Sequence, residues 1–223
     1  RRIAILEEMA RLIYREWFVE FRFPGHEGVR MVDSALGPIP AGWEVRHLSD
    51  LVTTQYGYTE SAQDAPVGPK FVRGMDINKT DFIEWVSVPY CLITQSKKAK
   101  YRLVPGDVLV VRMADPGKVG IVEKEIDAVF ASYLIRLQIE CSCLSPYFLY
   151  YTLLSDSYQG YITGAGRRTT RKSASAGVIT GFDMVVAPDR VRARFETCAS
   201  AIRRMLNKLL DTNAVLRRSR DLL

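Results

Sequence analysis

The sequence predicts an α+β fold in which one β-rich domain lies between two long terminal helices. Apolar side chains recur at spacings of three and four residues at the start of the chain, and at seven residues at its end. Between these segments, short β-branched and aromatic runs alternate with turn residues. With 223 residues, 48% of them hydrophobic, the chain can bury one substantial core.

The first helix is predicted to end near Phe23, because Pro24 and Gly25 cannot continue it. A polar, glycine-rich stretch follows, so residues 24–42 predict a linker. The apolar stripe of this helix consists of Ile3, Leu6, Ala10, Ile13 and Trp17.

From residue 43 to residue 188 the sequence predicts consecutive strands separated by turns. One short helix interrupts them, since Ser145 is a suitable N-cap and Pro146 suits the first helical position. The predicted strands are Lys70–Ile77, Phe82–Val88, Asp107–Met113, Lys118–Glu123, Ala128–Gln138 and Gly181–Ala187.

Residues 189–223 predict a second long helix. Its apolar seam has a spacing of seven residues, which is typical of a helix that pairs with another helix. Since the pattern still runs at the last residue, and the chain opens without methionine, we expect a longer parent protein. The seam residues are Phe195, Ile202, Leu209, Leu216 and Leu223.

The composition points to an acidic partner and to a reducing compartment. The formal net charge of +6 favours nucleic acid as a partner, although many basic proteins bind none. The four cysteines follow no disulfide-dense spacing, and no signal peptide or long apolar run occurs. We therefore expect a cytoplasmic protein with no membrane contact.

A basic stretch after Gly164-Ala165-Gly166 is the main candidate for nucleic-acid contact. Arginine can donate two hydrogen bonds to guanine, and threonine offers both a hydroxyl and a methyl group. The alternative is a solvated loop whose charge has no function. The candidates are Arg167, Arg168, Thr169, Thr170, Arg171 and Lys172.

Further candidates lie on predicted turns, where a polar or aromatic side chain can reach a ligand. Each of them alone is more often an ordinary surface residue. They are Gln55, Tyr56, Tyr58, Arg112 and Lys118, with Lys97, Lys98 and Lys100 as weaker candidates before a strand.

Catalytic and metal-binding patterns are weak. Gly164-Ala165-Gly166 lacks the third glycine of a dinucleotide-binding loop, and Cys141-Ser142-Cys143 lacks the gap of a zinc knuckle. Acidic residues near lysine, such as Asp76 with Lys79, form no convincing nuclease site. We expect no metal site in this chain.

The order of these segments resembles the specificity subunits of type I restriction-modification systems. The resemblance covers essentially the whole chain, although each motif alone is loose. The matching segments are 6–11 and 17–21 in the first helix, Ile39–Val45, Phe71–Ile77, Val104–Leu109, Ala131–Ile135, and 207–223 in the last helix.

The resemblance implies a non-catalytic subunit that reads duplex DNA and holds no cofactor. In this family, separate modification subunits bind S-adenosylmethionine and methylate, and restriction subunits cleave. The helices dock the modification subunits and hold two recognition domains apart. One such domain is present here, so the chain is either half of a full subunit or a half-sized subunit that forms a homodimer.

The resemblance also assigns the segments. Residues 1–23 correspond to a conserved spacer helix, 24–42 to a linker, 43–188 to a target recognition domain and 189–223 to the start of the next conserved helix. The two helices should pair as an antiparallel coiled coil. The pairing residues are Leu6, Ile13, Ile202, Leu209 and Leu216.

Two alternatives remain open at this stage. The chain could be the recognition portion of a single-chain restriction and modification enzyme. It could also be a coiled-coil adaptor that binds no DNA, in which case its basic charge serves only solvation.

Overall fold

The structure, a computed structural model, describes residues 1–80, 82–166 and 173–222. The helices are α1 (Arg2–Phe18), α2 (Gln95–Tyr101), α3 (Pro146–Leu154), α4 (Asp156–Gly166), α5 (Ala176–Thr180) and α6 (Asp189–Arg220). The strands are β1 (Met31–Val32), β2 (Ile39–Pro40), β3 (Glu44–His47), β4 (Val52–Tyr56), β5 (Lys70–Val72), β6 (Val108–Val111), β7 (Val119–Ile121), β8 (Ala128–Phe130), β9 (Leu134–Ile139) and β10 (Asp183–Val186).

The chain divides into two units. The helical unit consists of Arg1–Val45 and Val185–Leu223, and the strand unit consists of Arg46–Met184. Both terminal helices therefore belong to one unit, although most of the chain separates them. Mixed helix and strand content with long helices at both ends confirms the predicted α+β class.

In the helical unit, α1 and α6 pack side by side in opposite directions. Near the end of α1, Tyr14, Trp17 and Phe18 surround Phe195, with ring centroids 5.9, 6.2 and 5.1 Å away. Near the start of α1, Leu6 lies beside the same cavity as Leu209. Burial of these apolar side chains stabilises the pair, and the antiparallel pairing is as predicted.

The seam of α6 is covered along only part of its length. α6 has 32 residues and α1 has 17, about 48 and 26 Å of helix. Leu206 is fully buried, whereas Leu216 is 61% exposed. Of the predicted pairing residues, Leu6 and Ile202 are buried, Ile13 and Leu209 are half-buried, and Leu216 pairs with nothing in α1. Leu216 lies beyond the part of α6 that α1 covers within this chain, so its pairing stays a prediction.

The first helix ends earlier than predicted, at Phe18 rather than near Phe23. The backbone of Phe21 is left-handed, with φ at 56°, which takes the chain off the helix axis. Phe21 and Phe23 then pack against Trp43, at ring distances of 5.4 and 5.2 Å. Aromatic packing therefore ends the helix before Pro24 does.

The strand unit is built on a four-stranded antiparallel sheet in the order β4-β9-β6-β7. All four residues of β6 are buried, which is expected of a strand covered on both faces. Helix α3 lies against β6 and β7. Strands β5 and β8 pair in parallel, and Phe71, Val129 and Cys91 form a small apolar cluster beside them.

Several predicted strands differ from the observed elements. Lys70–Ile77 becomes β5 followed by a 3₁₀ turn, because the Asp76 carboxylate accepts from the Arg73 backbone. Ala128–Gln138 is divided into β8 and β9. Within the described part of Phe82–Val88 there is no strand, since Ser87 turns back to the Glu84 carbonyl.

The predicted helix at Ser145-Pro146 is confirmed as α3, although Ser145 makes no capping bond with its side chain. It is not the sole helix between the termini. Helix α4 extends to Gly166, so the Gly-Ala-Gly stretch is helical, where a loop was predicted. Lys97, Lys98 and Lys100 lie on α2, where a turn was expected.

The cysteines also differ from expectation. Cys141 and Cys143 form a disulfide with each other in the loop that follows β9 and precedes α3. Cys91 is buried and free, and Cys198 is exposed and free. The spacing of Cys141 and Cys143 is not a usual disulfide pattern, so the sequence did not predict this bond.

Candidate nucleic-acid interface

One end of the four-stranded sheet gathers residues that are far apart in the chain. Because β4 and β9 are antiparallel, Tyr56 at the end of β4 lies opposite Ile135 at the start of β9. Val111 at the end of β6 lies opposite Leu134. The sheet end is therefore formed by residues 56–58, 112–118 and 131–133, and it brings together Tyr56, Tyr58, Arg112 and Lys118 of the predicted set.

A close backbone approach fixes the crossing of these segments. The Tyr58 amide donates to Phe130 O at 2.8 Å, and the Ser132 amide donates to Tyr58 O at 2.9 Å. A side chain at Gly57 would overlap the carbonyl group of Ala131. Only glycine fits between the two segments without displacement.

Arg112 and Tyr56 form a stacked pair at this sheet end. The Arg112 guanidinium lies over the Tyr56 ring, 5.1 Å from its centroid. The Tyr56 hydroxyl accepts from the Ala176 amide at 3.1 Å, which fixes the ring. The pair combines a cation with a planar surface, two features that suit phosphate and base contacts. Lys118 is exposed nearby in the chain.

Tyr58 forms a second aromatic and cationic group. Its ring lies 5.5 Å from that of Tyr101, and the Lys97 ammonium group lies 5.2 Å from its centroid. Lys98, by contrast, forms an ion pair with Asp127 at 2.7 Å. Of the α2 lysines, Lys97 is thus placed over Tyr58, and Lys100 is placed over Tyr101, 5.5 Å from its ring centroid.

Gln55 lies next to this group in the chain, but its side chain turns into the fold. Its amide oxygen accepts from Arg136, and its amide nitrogen donates to Lys100 O at 3.0 Å. Arg136 also donates to Asp107 at 2.9 Å, and both residues are buried. Both ends of the Gln55 amide are therefore engaged within the strand unit.

The main predicted contact residues, Arg167, Arg168, Thr169, Thr170, Arg171 and Lys172, lie outside the described residues. The next described residue, Ser173, pairs with Met113, and the Ala174 amide donates to Arg112 O at 2.8 Å.

A cavity of about 490 Å³ adjoins the same sheet end, and sequence reasoning did not predict it. It is lined in part by Tyr58, Arg73, Met75, Met113, Asp115 and Tyr133. Tyr133 and Met75 are 54% and 52% exposed, which is high for such apolar side chains. A sequence signal was available for Asp115, since it stands in a Pro-Gly turn between Arg112 and Lys118.

Two negative findings apply to the described ranges. No cluster of three or more His, Cys, Asp or Glu side chains suited to a metal ion occurs in residues 1–80, 82–166 and 173–222. In the same ranges, no helix combines the length and the apolar character that a membrane span requires.

Comparison by sequence identifies relatives of one kind, while no family model matches the chain. The type I restriction enzyme EcoBI specificity subunit of Escherichia coli is 27% identical over 141 residues, which is 60% of this chain and 29% of that protein. The type I restriction enzyme MjaIX specificity subunit of Methanocaldococcus jannaschii is 33% identical over 88 residues, 35% of this chain and 20% of that protein. The matches thus span about a third or less of these relatives.

Comparison by fold leads to the same kind of protein. The S subunit of a type I restriction-modification system from M. genitalium matches 98% of this chain and 53% of its own, with a TM-score of 0.62 at 11% identity. The HsdS subunit from Thermoanaerobacter tengcongensis matches 94% of this chain and 46% of its own, with a TM-score of 0.53 at 16% identity. This chain is therefore similar in sequence to specificity subunits of type I restriction enzymes, and it shares the fold of solved S subunits.

Proposed function

We propose that this chain is the DNA-reading part of a type I specificity subunit and has no catalytic activity of its own. The observation that carries the proposal is the convergence of Tyr56, Tyr58, Arg112 and Lys118 at one end of the β4-β9-β6-β7 sheet. Cations beside the exposed ring of Tyr56 and the half-buried ring of Tyr58 offer both phosphate contacts and flat surfaces for bases or sugars.

The proposed contacts divide into two kinds. Arg112, Lys118 and Lys97 are assigned to phosphates, where charge fixes the position of the protein without reading sequence. The basic segment is assigned both to phosphates and to base edges, on the strength of its charge and its arginine and threonine content. It consists of Arg167, Arg168, Thr169, Thr170, Arg171 and Lys172.

Gln55 is left out of the proposed contacts, although the sequence favoured it. To reach a base it would have to release Arg136 and the Lys100 carbonyl, and it would leave buried groups without hydrogen bonds. We assign it the role of holding β4 to its neighbours.

The proposed protein partners follow from the helical unit. The α1 and α6 pair would dock the modification subunits, which supply S-adenosylmethionine and the methylation step, and through them the restriction subunit. The uncovered end of α6 would pair with a further helix, either from a second copy or from a second recognition half. This assembly would act on DNA in the cytoplasm.

The test is co-expression with a type I modification subunit from the same genome, followed by sequencing of methylated positions in host DNA. We expect a methylated motif that requires this chain. Replacing Arg167, Arg168, Arg171 and Lys172 with alanine should abolish or broaden the motif, while the chain still copurifies with its partner.

A matched control removes the same charge elsewhere, at the exposed residues Arg190, Arg194, Arg204 and Lys208 of α6. This variant should keep the motif whenever copurification is retained. Copurification without any methylated motif would contradict the DNA-reading role. An unchanged motif in the first variant would remove the basic segment from it.

A further inference from the structure

The cavity beside the sheet end has walls of two chemical kinds. Tyr58 and Tyr133 supply aromatic surface, and Met75 and Met113 supply thioether side chains. The polar lining includes Glu60, Arg73, Asn78 and Asp115. A concave, mostly apolar surface with a few polar groups is typical of a site that recognises one chemical group.

Most of the charged groups in this lining already have partners. Arg73 donates to both oxygens of Asp76, at 3.1 and 3.0 Å. Glu60 accepts from the Tyr58 hydroxyl at 3.3 Å and from the Ser61 amide at 2.9 Å. Within the described residues, Asp115 makes no hydrogen bond or ion pair with its side chain. Among the described residues, Asp115 is thus the charged lining group whose side chain is available to a ligand.

The position of Asp115 is set by an unusual backbone. Ala114, directly before it, has φ at 69°, a left-handed conformation that residues with a side chain rarely adopt. The turn then closes through the Gly117 amide, which donates to Val111 O at 3.0 Å. Asp115 therefore stands between two cations, Arg112 and Lys118, without pairing with either of them.

A carboxylate at a DNA-binding surface restricts what can enter. It repels phosphate, so the group that approaches Asp115 must be a hydrogen-bond donor. In the major groove the donors on base edges are the amino groups of adenine N6 and cytosine N4. The Met75, Met113 and Tyr133 walls also suit the thymine methyl group, which the groove displays beside adenine N6.

We propose that this cavity reads the amino-bearing edge of one base pair, with Asp115 accepting a hydrogen bond from the exocyclic amino group. The proposal rests on the proposed function, since it assumes that this sheet end faces duplex DNA. Arg112 and Lys118 hold the neighbouring phosphates, and the cavity discriminates between base pairs at a single position of the DNA site.

The experiment is selection of bound duplexes from a randomised DNA library by the full 223-residue chain, compared with Asp115→Ala. We expect the wild type to prefer adenine or cytosine at one position. The variant should lose that preference by roughly tenfold or more, the effect of one hydrogen bond to a charged group, and keep its preference elsewhere. Asp64→Ala is the matched control, because Asp64 is exposed and does not line the cavity.

A second measurement uses the selected duplex with the amino group removed, by purine in place of adenine or 2-pyrimidinone in place of cytosine. The wild type should bind this duplex less tightly, and Asp115→Ala should bind both duplexes equally. This comparison also shows which base supplies the amino group.

The outcomes separate the two proposals. A wild-type motif that Asp115→Ala leaves unchanged at every position overturns the cavity as a reader, and it leaves the DNA-reading function standing. If Asp115→Ala weakens the base preference equally at all positions, Asp115 supports the fold and reads no base, and the inference is likewise overturned. Absence of DNA binding by the wild type at low salt overturns the function together with the inference.

Discussion

At the residue scale, the buried pair of Arg136 and Asp107 organises the strand unit. Their side chains are 8% and 9% exposed and lie 2.9 Å apart. Arg136 also donates to Arg102 O at 2.8 Å and to Gln55, so one guanidinium ties together three segments. Asp107 in turn accepts from the Val104 amide at 2.9 Å. Such a pair matters mainly because either partner alone would be a buried, uncompensated charge.

Asp107→Ala should therefore lower the free energy of unfolding by about 3–5 kcal/mol. The loss combines an unpaired Arg136 with an unpaired Val104 amide. Chemical denaturation, monitored by circular dichroism, measures the change in unfolding free energy.

Glu125→Ala is the matched control. Glu125 pairs with Arg102 at 2.6 Å, but the two side chains are 63% and 54% exposed. An exposed pair contributes little, so the change should stay within about 0.5 kcal/mol. Equal effects of the two substitutions would show that the buried network does not stabilise the unit.

At the element scale, the seam of α6 has a covered part and an uncovered part. Phe195, Ala199, Ile202 and Leu206 are buried within the helical unit, while Val215 and Leu216 are 55% and 61% exposed. A regular heptad spacing continues across both parts. The covered part is needed for the fold, and the uncovered part is available for a further helix.

Leu206→Ala should cost about 2–5 kcal/mol in unfolding free energy, because it leaves a cavity beneath α1.

Leu216→Asp should leave the unfolding free energy of the isolated chain within about 0.5 kcal/mol of wild type, since that side chain is already exposed. It should, however, abolish association with a second copy or with the modification subunit. Denaturation and mass by light scattering separate the two effects. Unchanged association in Leu216→Asp would exclude this part of α6 from pairing.

At the scale of the whole molecule, the proposed DNA binding should depend on salt, because basic side chains that neutralise phosphates release counterions. We predict that the logarithm of the binding constant falls linearly with the logarithm of salt concentration. The combined substitution of Arg112 and Lys118 by alanine should reduce the slope by about 0.9 for each phosphate that the protein no longer neutralises. Fluorescence anisotropy over a salt series measures the slope.

Arg30→Ala is the control for this prediction. Arg30 is exposed and belongs to the helical unit, outside the proposed interface. It removes one positive charge without removing a proposed phosphate contact. If Arg30→Ala reduced the slope by half as much as the combined substitution does, bulk charge and not this surface would govern binding.

The sequence alone was sufficient for the elements that depend on local periodicity. The spacing of Leu6 and Ala10 predicted α1, the heptad from Phe195 predicted α6, and Ser145-Pro146 predicted α3. The β-branched runs around Val108 and Val119 predicted β6 and β7. In each case neighbouring residues favour one backbone conformation, and burial of one face reinforces it.

The tertiary structure decided what the side chains do. Tyr56, Arg112 and Tyr133 meet because β4, β9 and β6 run antiparallel in that order, which no local pattern specifies. Gln55 has the composition of a contact residue, yet the buried Arg136 engages it. Leu216 has the spacing of a core residue, yet it lies beyond the part of α6 that packs against α1 and is exposed. Periodicity determined which elements form, whereas long-range pairing determined which residues share a surface, because that pairing depends on distant segments of the chain.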